Sequence, residues 1–145
     1  ALMAEPFLAQ QPPKSTGRDL FNPHWLAPLL AWHAAGAAPA DVQATLAEFS
    51  ALAIAQDLLR HGAASGQTLV VCGGGALNGY LLQRLAALLP GMAVDSSSAH
   101  GLPPLQVEAA AFAWLARQCW HALPGNLPAV TGARGLRVLG AIYPR

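Results

Sequence analysis

Thr68-Leu69-Val70-Val71-Cys72-Gly73-Gly74-Gly75-Ala76-Leu77-Asn78 is the stretch whose reading decides the fold. Its first five residues form a near-continuous apolar run between Gly66 and three successive glycines. Such a run predicts a buried strand in a parallel sheet covered on both faces. A helix is expected next, over Gly79–Leu89, with Leu81, Leu85 and Leu88 on one side. Pro90-Gly91 ends it, and Met92–Asp95 reads as a second short strand. From Thr68 to Asp95 is 28 residues, the length of a βαβ unit.

The same pattern extends outward. Upstream, Pro39–Arg60 reads as a long helix, with Val42, Leu46, Phe49 and Ala53 at helical spacing and Asp41 in the first turn. Downstream, Pro103-Pro104 opens a helix to about Ala122 that is apolar nearly all round, which predicts burial on most sides. Leu136–Ile142 reads as a closing strand. The order α-β-α-β-α-β defines an α/β architecture. Residues 1–38 stand apart as an irregular, Pro-rich segment with one short helix over Trp25–Ala35, leaving 39–145 as the α/β lobe.

Composition narrows the function classes. The 145 residues suffice for one domain with a core. Apolar residues make up 54% and charged residues 10%, a balance that leaves little charge for a free surface, so part of it is expected to be covered by more protein. The net charge is +1 and the eight Lys and Arg are scattered, which argues against nucleic acid as a partner. No segment reads as membrane-spanning, since the Ala-rich run from Val107 to Leu115 is short and contains Glu108. Cys72 and Cys119 form neither a metal-type pair nor a disulfide framework, so a reducing cytoplasm is the expected compartment and Cys72 a buried structural thiol. The five histidines show no ligand spacing, and no metal site is expected among these residues. The chain lacks a signal-peptide pattern and does not begin with Met, so it is read as starting within a longer protein.

The glycine turn carries the clearest chemistry. Glycines between a strand and a helix let backbone approach a ligand closely, and Asn78 suits an N-cap. Open N–H groups at such a helix start attract phosphate. A ligand-free tight turn satisfies the same residues. A Walker loop is excluded, because no Gly-Lys-Ser/Thr follows. A Rossmann fingerprint fails at its last glycine, where Asn78 stands, although Asp95 lies where a ribose-binding acid would sit.

Two further places are candidates. Glu108 shares a helical face with Phe112, Leu115 and Cys119, where a charge is costly unless paired; it reads as a ligand-binding carboxylate or as a partner of the helix dipole. Lys14-Ser15-Thr16-Gly17-Arg18-Asp19 is a polar, basic loop that suits a phosphate or sugar acid, or simply solvent.

Five blocks carry a family resemblance. They are Pro13–Phe21, Val71–Asn78, Gly101–Ala116, Leu123–Ala133 and Val138–Pro144. In this order, over nearly the whole chain, they resemble the anhydro-N-acetylmuramic acid kinase family. Leu105 and Gln106 depart from it, where an acid and an aromatic are usual, as does His100, where Leu is usual.

The resemblance implies the C-terminal lobe of an actin-like (ribonuclease H-like) sugar kinase fold, incomplete here. It implies a cytoplasmic enzyme of cell-wall recycling that uses ATP and Mg2+ to phosphorylate 1,6-anhydro-N-acetylmuramic acid, with water opening the anhydro ring. Gly73, Gly74, Gly75 and Asn78 would hold the nucleotide. Glu108 would face the sugar, and Lys14 and Arg18 would lie near the cleft. The general base is expected in an N-terminal lobe that this chain lacks, so little turnover is expected from it alone. That lobe is the implied partner, and a homodimer stays open. The alternatives are a non-catalytic nucleotide-binding or interaction module and a Rossmann-type dinucleotide domain using Asp95.

Overall fold

The computed structural model describes residues 1–143; Pro144, the last residue of the fifth block, lies outside them. Two parallel strands, β1 (Thr68–Val71) and β2 (Ala93–Ser96), are joined by a crossover through helix α3 (Gly79–Leu88). Thr68 pairs with Ala93 and Val71 with Ser96. The turn into β2 is tight: the Gly66 N–H donates to the Gly91 carbonyl at 2.8 Å, and Gly91 has φ +86°.

Helix α2 (Pro39–Arg60) runs over the expected residues and packs along α3. Ala51 and Ala55 are small enough to admit a neighbouring helix, and with Leu85 and Leu89 they form most of the buried core. Arg84 of α3 grips Glu48 of α2 through two hydrogen bonds, Nε to Oε2 at 2.7 Å and Nη2 to Oε1 at 3.1 Å. That guanidinium hydrogen bond holds the Glu48 carboxyl below the usual carboxylate range.

The first 38 residues dock on α2. Helix α1 (Pro23–His33) begins two residues earlier than its apolar pattern suggests. Asn22 caps it, its side-chain oxygen accepting from the N–H of His24 and Trp25, and Pro23 fits the first position because no donor is needed there. Phe21 packs between Phe7 at 6.3 Å and Trp25 at 5.1 Å, and both Phe21 and Trp25 meet Phe49 of α2. The Trp25 indole N–H donates to Glu5 at 2.8 Å.

Five expectations are corrected. The sheet is not covered on both faces: Leu69 and Val71 are half-buried, while Val70 and Cys72, which alternate onto the other face, are exposed. Cys72 is therefore not the buried thiol its apolar neighbours suggested. The helix expected from Pro103 is divided into a single 3-10 turn at Pro104–Gln106 and helix α4 (Val107–Trp120). Helix α4 is not buried on most sides, since Phe112, Trp114 and Trp120 are 64%, 50% and 73% exposed. Leu136–Ile142 forms no strand. Its neighbour is an irregular segment that offers two bonds at one residue: Gly125 N–H donates to the Arg137 carbonyl, and Asn126 Oδ1 accepts from the Arg137 N–H. A strand requires a continuous ladder of such partners.

Candidate functional site

The parallel register sets the site. Because Val71 lies beside Ser96, the glycine turn after β1 and the Ser97–His100 turn after β2 emerge side by side at the carboxyl ends of the strands. Open α/β sheets bind ligands in the crevice outside those ends.

Each glycine of the turn has a different local role. Gly73 has φ +69° and ψ −164°, a conformation essentially restricted to glycine. Its N–H donates to the Pro104 carbonyl at 3.0 Å, so it is unavailable to a ligand and instead ties the turn to the approach of α4. Gly74 and Gly75 open a 3-10 turn, and neither N–H has an acceptor among the described residues. A Cβ added at Gly74 would meet nothing within 4 Å. Asn78 caps α3 as expected, its side-chain oxygen accepting from the Leu81 N–H at 3.1 Å. Two more α3 amides, those of Gly79 and Tyr80, also lack acceptors among the described residues. Four open donors thus gather around one strand-to-helix turn, suited to the oxygens of a phosphate chain.

Other predicted residues lie differently. Glu108 is exposed in the first turn of α4, which the Gly73–Pro104 hydrogen bond links to the glycine turn. Arg18 is exposed, with no ion-pair partner among the described residues. Lys14 is occupied: its ammonium donates to Asp57 at 3.0 Å and lies 5.3 Å from the Phe7 ring centroid, with 12% of its side chain exposed. Asp57 is in the last turn of α2, from which the chain proceeds to the start of β1, whereas the glycine turn follows the end of β1. Lys14 thus fastens its loop to α2. The Lys14 hydrogen bond, with the charges of Lys14, His61 and Arg60, holds the Asp57 carboxyl below its ordinary value.

Asp95 bonds His100 at 3.1 Å between Oδ2 and Nε2 instead of standing free at the strand end. The buried Ser97 hydroxyl beside this pair has no partner among the described residues. Sequence reasoning noted Asp95 and His100 separately; only the turn over Ser97–Gly101 joins them. A hollow of about 630 Å³ lies between α1 and α2, lined by none of the predicted site residues. Among the described residues no group of three or more His, Cys, Asp or Glu could hold a metal ion, and no helix is long and apolar enough to cross a membrane.

A glycine-bearing strand–turn–helix with open amides at the carboxyl end of a parallel pair of strands defines an α/β unit whose turn has the donors to take an anion. Comparison with known proteins narrows this class. The family profile of anhydro-N-acetylmuramic acid kinase matches residues 1–145. An anhydro-N-acetylmuramic acid kinase of Variovorax paradoxus (strain S110) is 66% identical over 143 residues, covering 99% of this chain and 38% of that protein. Its counterpart in Cupriavidus pinatubonensis (strain JMP 134 / LMG 1197) is 60% identical over 146 residues, covering 100% and 39%. The chain belongs to the anhydro-N-acetylmuramic acid kinase family, and it spans about two-fifths of the length of these relatives.

Proposed function

We propose that this chain supplies the nucleotide-binding part of an ATP-dependent kinase acting on 1,6-anhydro-N-acetylmuramic acid, with hydrolytic opening of the anhydro ring, in cytoplasmic cell-wall recycling. The carrying observation is a turn of open amides within a chain matched to this kinase family from end to end. Residues 39–145 form the nucleotide lobe of an actin-like fold, and residues 1–38 dock against it. The relatives' greater length supports a second lobe elsewhere in the polypeptide, which supplies the aspartate general base.

The residues present fit a triphosphate, since the Gly74 and Gly75 amides are open and no side chain crowds Gly74. In this reading Gly73 sets the shape of the turn, Gly74 and Gly75 donate to phosphate oxygens, and Asn78 fixes the first turn of α3. Glu108 faces the sugar, and Lys14 and Arg18 lie near the cleft on a loop that the Lys14–Asp57 contact holds in place. Mg2+ would come with the nucleotide, and it would supply charge neutralisation at the phosphoryl group.

Titration calorimetry with ATP tests the reading. Gly74→Val leaves the fold intact, because its Cβ meets no neighbour within 4 Å, yet it places a branched side chain over the amides. ATP affinity should fall at least about tenfold, roughly the loss of one charge-assisted hydrogen bond. Unchanged affinity overturns the assignment of the turn.

A further inference from the structure

We propose that Asp95 and His100 are positioning residues for the sugar side of the site: their hydrogen bond fixes the bridge between β2 and α4, and through it the place of Glu108 beside the glycine turn. This inference rests on the reading of Glu108 as a sugar-facing carboxylate, and it adds the contact that holds that carboxylate in place.

The bridge, Ser97–Gln106, begins and ends in a 3-10 turn. At its far end the carbonyl of Pro104, a buried residue, accepts from the Gly73 N–H at 3.0 Å. Its near end bends at Gly101, whose φ is +83°. The Gly101 and Leu102 amides donate back to the Ser98 and Ser97 carbonyls, each at 3.1 Å, which closes the bend on itself. Ser96 at the end of β2 holds the inner limb, its hydroxyl oxygen accepting from the Ser98 N–H at 3.3 Å. The outer limb is tied to β2 by His100. Its Nε2 lies 3.1 Å from Asp95 Oδ2, and Asp95 sits in β2 in register with Val70. A carboxylate only accepts, so Nε2 carries the hydrogen. The buried Ser97 hydroxyl has no partner among the described residues and adds no tie. The Asp95–His100 and Gly73–Pro104 bonds therefore set where α4 begins, and Glu108 stands in the first turn of α4.

Exposure decides what the Asp95–His100 bond can do. The His100 and Asp95 side chains are 48% and 41% exposed, and a pair so exposed contributes little to global stability. Its effect is geometric: a binding group displaced from its place loses its ligand contact although the fold persists.

Steady-state kinetics of the complete kinase polypeptide containing this chain provide the test. His100→Ala should raise KM for the anhydro-sugar roughly twofold to tenfold, the worth of one hydrogen bond. At unchanged kcat this is the signature of a lost binding contact, and KM for ATP and the urea midpoint should not move. His100→Gln offers an amide N–H at similar reach and should restore the wild-type KM. Asp95→Ala should match His100→Ala, and the double variant should lose no more than either alone. In a Glu108→Ala background His100→Ala should add nothing, because its effect passes through Glu108. If His100→Ala does not fold, Asp95→Ala removes the same bond. An unchanged sugar KM in His100→Ala or Asp95→Ala overturns the positioning role while sparing Glu108, as does an equal rise in both KM values or a further loss on top of Glu108→Ala. If Glu108→Ala itself leaves the sugar KM unchanged, the sugar reading of Glu108 fails and the inference fails with it.

Discussion

Gly73 and Gly74 are adjacent, but alanine should affect them in opposite directions. Gly73 combines φ +69° with ψ −164°, where a Cβ brings about 1–3 kcal/mol of backbone strain. The penalty is purely conformational, because that Cβ would have no atom within 4 Å to clash with. Gly74 lies outside the left-handed region, at the start of a short 3-10 turn, and also has open space around it. Alanine there mainly restricts the unfolded chain, stabilising by about 0.4–1 kcal/mol. Urea unfolding followed by circular dichroism separates the two. With a slope of about 2 kcal/mol per molar, Gly73→Ala should lower the midpoint by roughly 0.5–1.5 M and Gly74→Ala should raise it by roughly 0.2–0.5 M. Equal midpoints for both variants, or a Gly73→Ala midpoint matching the wild type, would refute the conformational argument.

Two further outcomes concern the core and acid stability. Leu85→Ala, at a residue 1% exposed between α2 and α3, should cost about 2–5 kcal/mol by urea unfolding, while Phe112→Ala on open α4 should stay within about 0.5 kcal/mol. The folded chain holds the Asp57 carboxyl below its ordinary value, chiefly through the Lys14 hydrogen bond. The native state therefore binds fewer protons there than the unfolded state. Its stabilisation is complete above the unfolded value of about 3.9 and is lost as pH falls through the lowered folded value. Asp57→Asn should flatten that acid limb of the stability profile, and an unchanged limb would remove Asp57 as its source. The effect is small, because Asp57 is partly solvent-exposed and screened.

Much of the local structure was legible in the sequence. Helix α2 occupies the residues its apolar spacing marks out, and β1, α3 and β2 fall within a residue or so of expectation. These elements carry strong local signals: Pro at a helix start, glycines at a strand end, and an Asn cap. The C-terminal third was less legible for a reason of tertiary origin. Leu136–Ile142 has a strand's composition, but no adjacent strand supplies its ladder. Helix α4 has the composition of a buried helix, but nothing in the described chain covers Phe112, Trp114 or Trp120. Composition reports the surroundings a segment is suited to, whereas burial depends on the protein packed around it.

The sequence alone determined the α2-β1-α3-β2 order, the glycine turn with its cap, and a resemblance to one kinase family, because these depend on residue types at fixed local spacings. Tertiary structure decided the rest. It consumed the Gly73 amide on Pro104 while leaving those of Gly74 and Gly75 open, fastened the Lys14 ammonium to Asp57, and set Tyr80 on the wall of a hollow. Each of these depends on which distant backbone or side chain arrives within hydrogen-bonding or van der Waals reach, and spacing along a chain does not encode that.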